Sequence, residues 1–69
     1  PVRLTRREHL VYKLLCFGLT NKQIATQLVI SENTVRYHLK ALYAKLGVSS
    51  RMRAAALGAA GVSVEAVMA

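Results

Sequence analysis

The sequence is short of several residue types. Its 69 residues hold one cysteine, one proline, one phenylalanine and no tryptophan. Its only acids are three glutamates, Glu8, Glu32 and Glu65. A lone cysteine, Cys16, cannot close an internal disulfide, which excludes a disulfide-stapled secreted module. Pro1 is the only proline, and no Pro-rich linker or repeat divides the chain. The longest apolar run, Ala54 to Val62, has nine residues and contains Gly58 and Gly61. A membrane span needs about 20, so no membrane partner is expected. Past Val2 the N-terminus is polar, unlike a secretion signal. No segment alternates with period two, so no strand is expected. Sixty-nine residues bury only about 60% of their unfolded surface, enough for one domain with a small core. Little space remains for an enzyme pocket, which takes about 300–1,000 Å³. A hydrophobic content of 54% excludes disorder. The expectation is a small, basic, soluble domain in the cytoplasm.

What the chain has in abundance is positive charge, and that charge is unevenly placed. All ten basic residues lie between Arg3 and Arg53, where only Glu8 and Glu32 oppose them, giving +8. The last 16 residues carry Glu65 alone, or −1, so the net is +7. Such asymmetry points to a polyanionic partner for the basic part.

Local signals divide the chain into four helices. Thr5 with Glu8 is a capping box. Leu10, Val11, Leu14 and Leu15 follow at the spacing of a buried helical face, and Gly18 ends the helix. Thr20 with Gln23 is a second capping box, opening a short helix from about Asn21 to Leu28. Val29 and Ile30 offer no polar punctuation, which predicts a tight, partly buried turn. Ser31 caps the third helix and Gly47 stops it. Ser49 or Ser50 caps a fourth, running from Arg51 to about Ala60, with Gly61 as its stop and one further turn expected within Val62 to Ala69. The fold class is therefore all-α, a compact four-helix domain.

The third helix is the informative one. Val35, Leu39, Leu42 and Leu46 fall at i, i+4, i+7 and i+11, a narrow apolar stripe. Asn33, Arg36, Tyr37, Lys40 and Ala44 lie on the opposite side, about 100–200° round the helix from Val35. The major groove of B-DNA admits one helix whose outward side chains meet base edges. Arginine offers a fork for guanine, lysine a single strong donor, and asparagine a bidentate match for adenine. The second helix ends three residues before the Ser31 cap, so the two helices must cross steeply, with small Ala25 at the crossing. Ile24, Leu28, Ile30, Val35 and Leu39 would share that core. This is a helix-turn-helix over about residues 21–40, whose second helix enters the groove.

Four blocks at matching spacing carry a family resemblance: Leu4-Thr5-Arg6-Arg7-Glu8, Gly18 to Ala25, Ile30 to Leu39, and Lys45 to Arg51. They resemble the LuxR-type (GerE, NarL/FixJ) helix-turn-helix domain over about residues 4–61. The resemblance implies a bacterial transcriptional regulator whose C-terminal output domain this single domain, residues 1–69, would be. It implies that Arg36, Tyr37 and Lys40 face bases, beside Asn33 on the same face. It implies phosphate contacts for Lys22, Thr34, Ser50 and Arg51. It also implies dimerisation through the fourth helix, where Ala55, Ala56 and Ala59 stand in a run of small residues that includes Ala54, Gly58 and Ala60. Double-stranded DNA, a second copy of the chain and RNA polymerase are the expected partners.

Other chemistry is weak. His9, Cys16 and His38 do not form the converging ligand pairs of a zinc site, so no metal, cofactor or catalytic residue is expected. His9 and Lys13 read as solvated surface, Cys16 as a half-buried filler, and Tyr12, Phe17 and Tyr43 as rim or core aromatics. His38 reads as a packing or phosphate-facing residue. The competing function is a helical protein-interaction module working through the apolar fourth helix. The groove-sized basic face of the third helix separates the two, since an interaction module has no need of it. An enzyme ranks behind both.

Overall fold

The computed structural model describes residues 2–61 and 64–67, with side chains described through residue 61. Its elements run β1 (Val2–Thr5), α1 (Arg6–Cys16), α2 (Asn21–Leu28), α3 (Glu32–Leu46), α4 (Arg51–Ala59) and β2 (Val64–Val67). The four helices make the domain all-α in class.

Each helix starts where a side-chain oxygen can replace a missing backbone partner. Thr5 and Glu8 close a full capping box on α1, and Thr20 and Gln23 close one on α2. Ser31 and Ser50 cap α3 and α4, accepting from the N–H groups of Thr34 and Arg53 at 3.1 and 3.2 Å. Gly47 ends α3 in the left-handed conformation, with φ 71°.

The core lies where the helices meet. Val11, Tyr12 and Leu15 of α1 pack with Ile24 and Ala25 of α2, with Val35, Leu39 and Leu42 of α3, and with Ala54 of α4. Leu4 of β1 is fully buried in the same cluster. Small Ala25 is buried, as is Ile24. Leu10 is more exposed than the helical spacing predicted, and Tyr12 takes its place on the buried face.

Two strands correct the expectation that none would form. β1 and β2 pair in parallel, with Val2 opposite Val64 and Thr5 opposite Val67. Part of the expected C-terminal turn is thus strand at Val64–Val67. Val62, Ser63, Met68 and Ala69, also placed in that turn, lie outside the described residues. The pairing was invisible to periodicity because each strand has four residues and its partner lies at the other end of the chain.

Candidate nucleic-acid interface

The turn between α2 and α3 is built unusually. Val29 takes the left-handed conformation at φ 56°, where a β-branched residue is strained. The N–H of Ile30 donates to the carbonyl of Ala25 at 3.0 Å, closing the end of α2 as glycine usually does. The turn is tight, as expected, but it is not buried around Val29, whose side chain is 89% exposed. The next residue, Ile30, turns inward and packs against the core. The sharp reversal carries the chain directly to the Ser31 cap and sets the start of α3.

α3 then separates two faces. Val35 and Leu42 are fully buried and Leu39 nearly so, while Leu46 packs at the edge of the core. Asn33, Arg36, Tyr37, Lys40 and Ala44 are all exposed. Tyr37, Lys40, Ala41 and Ala44 line a shallow, mainly apolar groove along this outer side. Tyr37 stacks edge-on against half-buried His38, with ring centroids 5.7 Å apart, which steadies its ring. His38 thus has a packing contact, as read from its flank position. The guanidinium of Arg36 donates to the amide oxygen of Asn33, one turn earlier.

The four residues assigned to phosphate by resemblance differ in their surroundings. Lys22 is exposed in the first turn of α2. Thr34 is half-buried, with its hydroxyl 2.9 Å from that of Ser31. Ser50 caps α4. Arg51 reaches across the molecule and donates from one nitrogen to the side-chain oxygen of Asn21 and from another to the carbonyl of Leu19. It therefore ties the first turn of α4 to the start of α2. Nothing local in the sequence signals that link, because its partners lie about thirty residues away.

α4 divides its small residues between two sides. Ala54 is fully buried, and its carbonyl accepts the phenol of Tyr12 at 3.2 Å. A Cβ at Gly58 would lie 2.7 Å from the sulfur of Cys16 and 3.1 Å from the Tyr12 oxygen, so Gly58 is the close-approach point of α1 and α4. Ala55 is half-buried, and Ala56 and Ala59 are exposed.

Three smaller readings need correction. Cys16 is exposed, not half-buried. Phe17 is 76% exposed at the end of α1, neither rim nor core. His9 is half-buried, and its Nδ1 is shielded without a hydrogen-bond partner. Tyr12 is the core aromatic of the three, and burial, followed by the neighbouring Cys16, pushes its phenol above the usual range. No group of three or more His, Cys, Asp or Glu among the described residues could hold a metal ion.

A short helix, a left-handed turn and a longer helix with a basic outer face define a helix-turn-helix DNA-binding domain. Residues 2–57 match GerE, the luxR family of bacterial regulatory proteins, and the chain belongs to that family. A probable transcriptional regulatory protein, SgaR of Hyphomicrobium methylovorum, is 57% identical over 54 residues, which is 78% of this chain and 26% of that protein. Spore germination protein GerE of Bacillus subtilis is 49% identical over 51 residues, 74% of this chain and 69% of that protein. Nitrate/nitrite response regulator protein NarL of Escherichia coli K12 is 45% identical over 53 residues, 77% of this chain and 24% of that protein. The chain thus spans about a quarter of the length of SgaR and NarL. The family consists of DNA-binding transcription regulators and not of enzymes. No helix among the described residues is long and apolar enough to cross a membrane.

Proposed function

We propose that the chain binds double-stranded DNA sequence-specifically, with α3 in the major groove. The observation that carries this reading is the outer face of α3. Asn33, Arg36, Tyr37 and Lys40 stand exposed there, opposite buried Val35, Leu39 and Leu42. Arg36 and Lys40 supply hydrogen-bond donors and Tyr37 an apolar surface for base edges. Lys22, Thr34, Ser50 and Arg51 would set the register on phosphates, with hydroxyls, cations and helix N-termini as donors. Arg51 has donors left beyond its two internal bonds, since a guanidinium carries five N–H groups.

The domain would act as the C-terminal output unit of a longer cytoplasmic regulator, a response regulator being one form. The greater length of SgaR and NarL supports that reading. It would dimerise through α4, where exposed Ala56 and Ala59 beside Ala55 allow a second helix to approach. RNA polymerase would be its further partner in transcription.

A salt titration of duplex binding, with Arg36→Ala, Lys40→Ala and Lys22→Ala, tests the groove assignment. Affinity should fall steeply with salt. The first two variants should relax base preference by about 1–3 kcal/mol, and Lys22→Ala should weaken all sequences alike. A flat titration, or three variants that behave identically, would overturn it.

A further inference from the structure

Asn33 lies in the first turn of α3, three residues before Arg36, so the two side chains emerge on one side of the helix. Read singly, Asn33 is an adenine reader, because its amide offers one donor and one acceptor to the N7 and N6 groups of that base. The structure occupies one lone pair of that acceptor and disfavours use of the other. The carbonyl oxygen of Asn33 already accepts from the Arg36 guanidinium. The guanidinium also sets a positive charge beside any donor approaching the same oxygen. What the pair still offers is an amide NH₂ and the remaining guanidinium N–H groups, all donors. Guanine presents two acceptors in the major groove, N7 and O6, whereas adenine presents one acceptor and one donor. We propose that Asn33 is a positioning residue, and that the Asn33–Arg36 pair forms a donor-only fork selecting guanine over adenine.

The physical gain comes from order. An exposed arginine has many rotamers, and binding a base must select one of them. Holding one Nη on Asn33 narrows that choice before DNA arrives and leaves the other guanidinium edges free. Asn33 then acts through Arg36 without needing a base of its own. The inference rests on α3 lying in the groove.

The test begins with duplexes selected by the wild-type chain from a random pool. Binding is then compared for wild type, Asn33→Ala, Asn33→Asp, Arg36→Ala and the Asn33→Ala/Arg36→Ala double variant. Each is measured on the selected duplex and on copies in which the preferred guanine is replaced by adenine or by 7-deazaguanine. Wild type should discriminate against both replacements. Asn33→Ala should lose about two- to tenfold of that discrimination, the range set by freeing one side chain. Arg36→Ala should abolish it, and the double variant should be no worse than Arg36→Ala. Asn33→Asp keeps an acceptor for the guanidinium, so discrimination should survive while affinity for every duplex drops with the added negative charge. Asn33 is exposed, so none of these changes touches the core. Additive effects of the two alanine variants would overturn the proposal. So would loss of an adenine preference at a separate base pair in Asn33→Ala, or failure of Asn33→Asp to keep discrimination. If wild type selects no preferred base at all, the groove assignment itself fails, and the outcomes are thereby told apart.

Discussion

The carboxylate of Glu8 accepts the ammonium of Lys45 at 2.7 Å while also accepting the backbone N–H of Thr5 at 2.9 Å. One nearly buried side chain thus caps the first turn of α1 and holds the last turn of α3. Glu8 sits at a helix N-terminus and Lys45 near a helix C-terminus, so each charge also complements its own helix dipole. The contact joins α1 to the C-terminal end of α3, away from exposed Asn33, Arg36 and Tyr37 in its first half.

Removing that partner should be felt in stability. Lys45→Met is expected to cost about 1 kcal/mol, because Lys45 is partly exposed and Glu8 keeps its cap bond. A urea melt should show a lower midpoint with an unchanged slope.

The same pair predicts an acid limit. Burial pushes the Glu8 carboxyl up, but the Lys45 hydrogen bond and charge and the Thr5 contacts outweigh it and hold the group below its ordinary value of 4.5. The folded state therefore binds the Glu8 proton less readily than the unfolded chain. The stabilisation is complete above about pH 4.5 and is lost as pH falls through the depressed folded value. Chemical denaturation between pH 6 and pH 3, an interval of ~3 units around the carboxylate range, should show a weaker acid slope for Glu8→Gln than for wild type.

Gly58 gives a prediction in which two rules oppose each other. Helix propensity alone would make Gly58→Ala stabilising by about 1 kcal/mol. The new Cβ, however, would lie 2.7 Å from the Cys16 sulfur and 3.1 Å from the Tyr12 oxygen, so Gly58→Ala should destabilise instead. Cys16→Ala removes the closer obstacle, and the cost of Gly58→Ala should shrink in that background. A thermal double-mutant cycle should give a coupling of at least about 0.5 kcal/mol.

Val29 predicts the reverse sign. Its left-handed backbone costs about 1–2 kcal/mol for a residue of this kind, and its exposed side chain contributes little burial. Val29→Asn should raise stability by up to about 1 kcal/mol, since asparagine tolerates the conformation without the extra unfolded-state freedom of glycine. A higher melting temperature with unchanged helix content would bear this out.

Arg51 and Lys22 should separate two kinds of cation. Arg51→Ala removes the links to Asn21 and to the Leu19 carbonyl, so it should lower the melting temperature as well as affinity for every duplex. Lys22→Ala should lower affinity alone. Thermal melts beside binding isotherms distinguish them.

These contrasts explain which parts were legible in the sequence. Each cap is a local event, with Thr5 meeting Glu8 and Thr20 meeting Gln23 within three residues, so the helix starts could be read directly. The faces of α3 were legible because a fifteen-residue helix repeats its period several times. The links Glu8–Lys45 and Arg51–Asn21 were not, because they join segments 37 and 30 residues apart. Exposed Val29 and Phe17 misled because apolar character alone does not say which side of a turn faces inward. Gly58 read as one more small residue in α4, since nothing in its neighbours reveals Tyr12 and Cys16 across the gap. The Asn33–Arg36 spacing was visible, but that the two side chains bond to each other was not.

The pairing of β1 with β2 bears on the order of folding. Val2 meets Val64, so this contact closes a loop of nearly the whole chain, whereas the α2–α3 turn joins neighbours. Loop closure is entropically costly before other contacts have shortened the path. The helices and the turn at Val29 are therefore expected to assemble first, with the two ends coming together last.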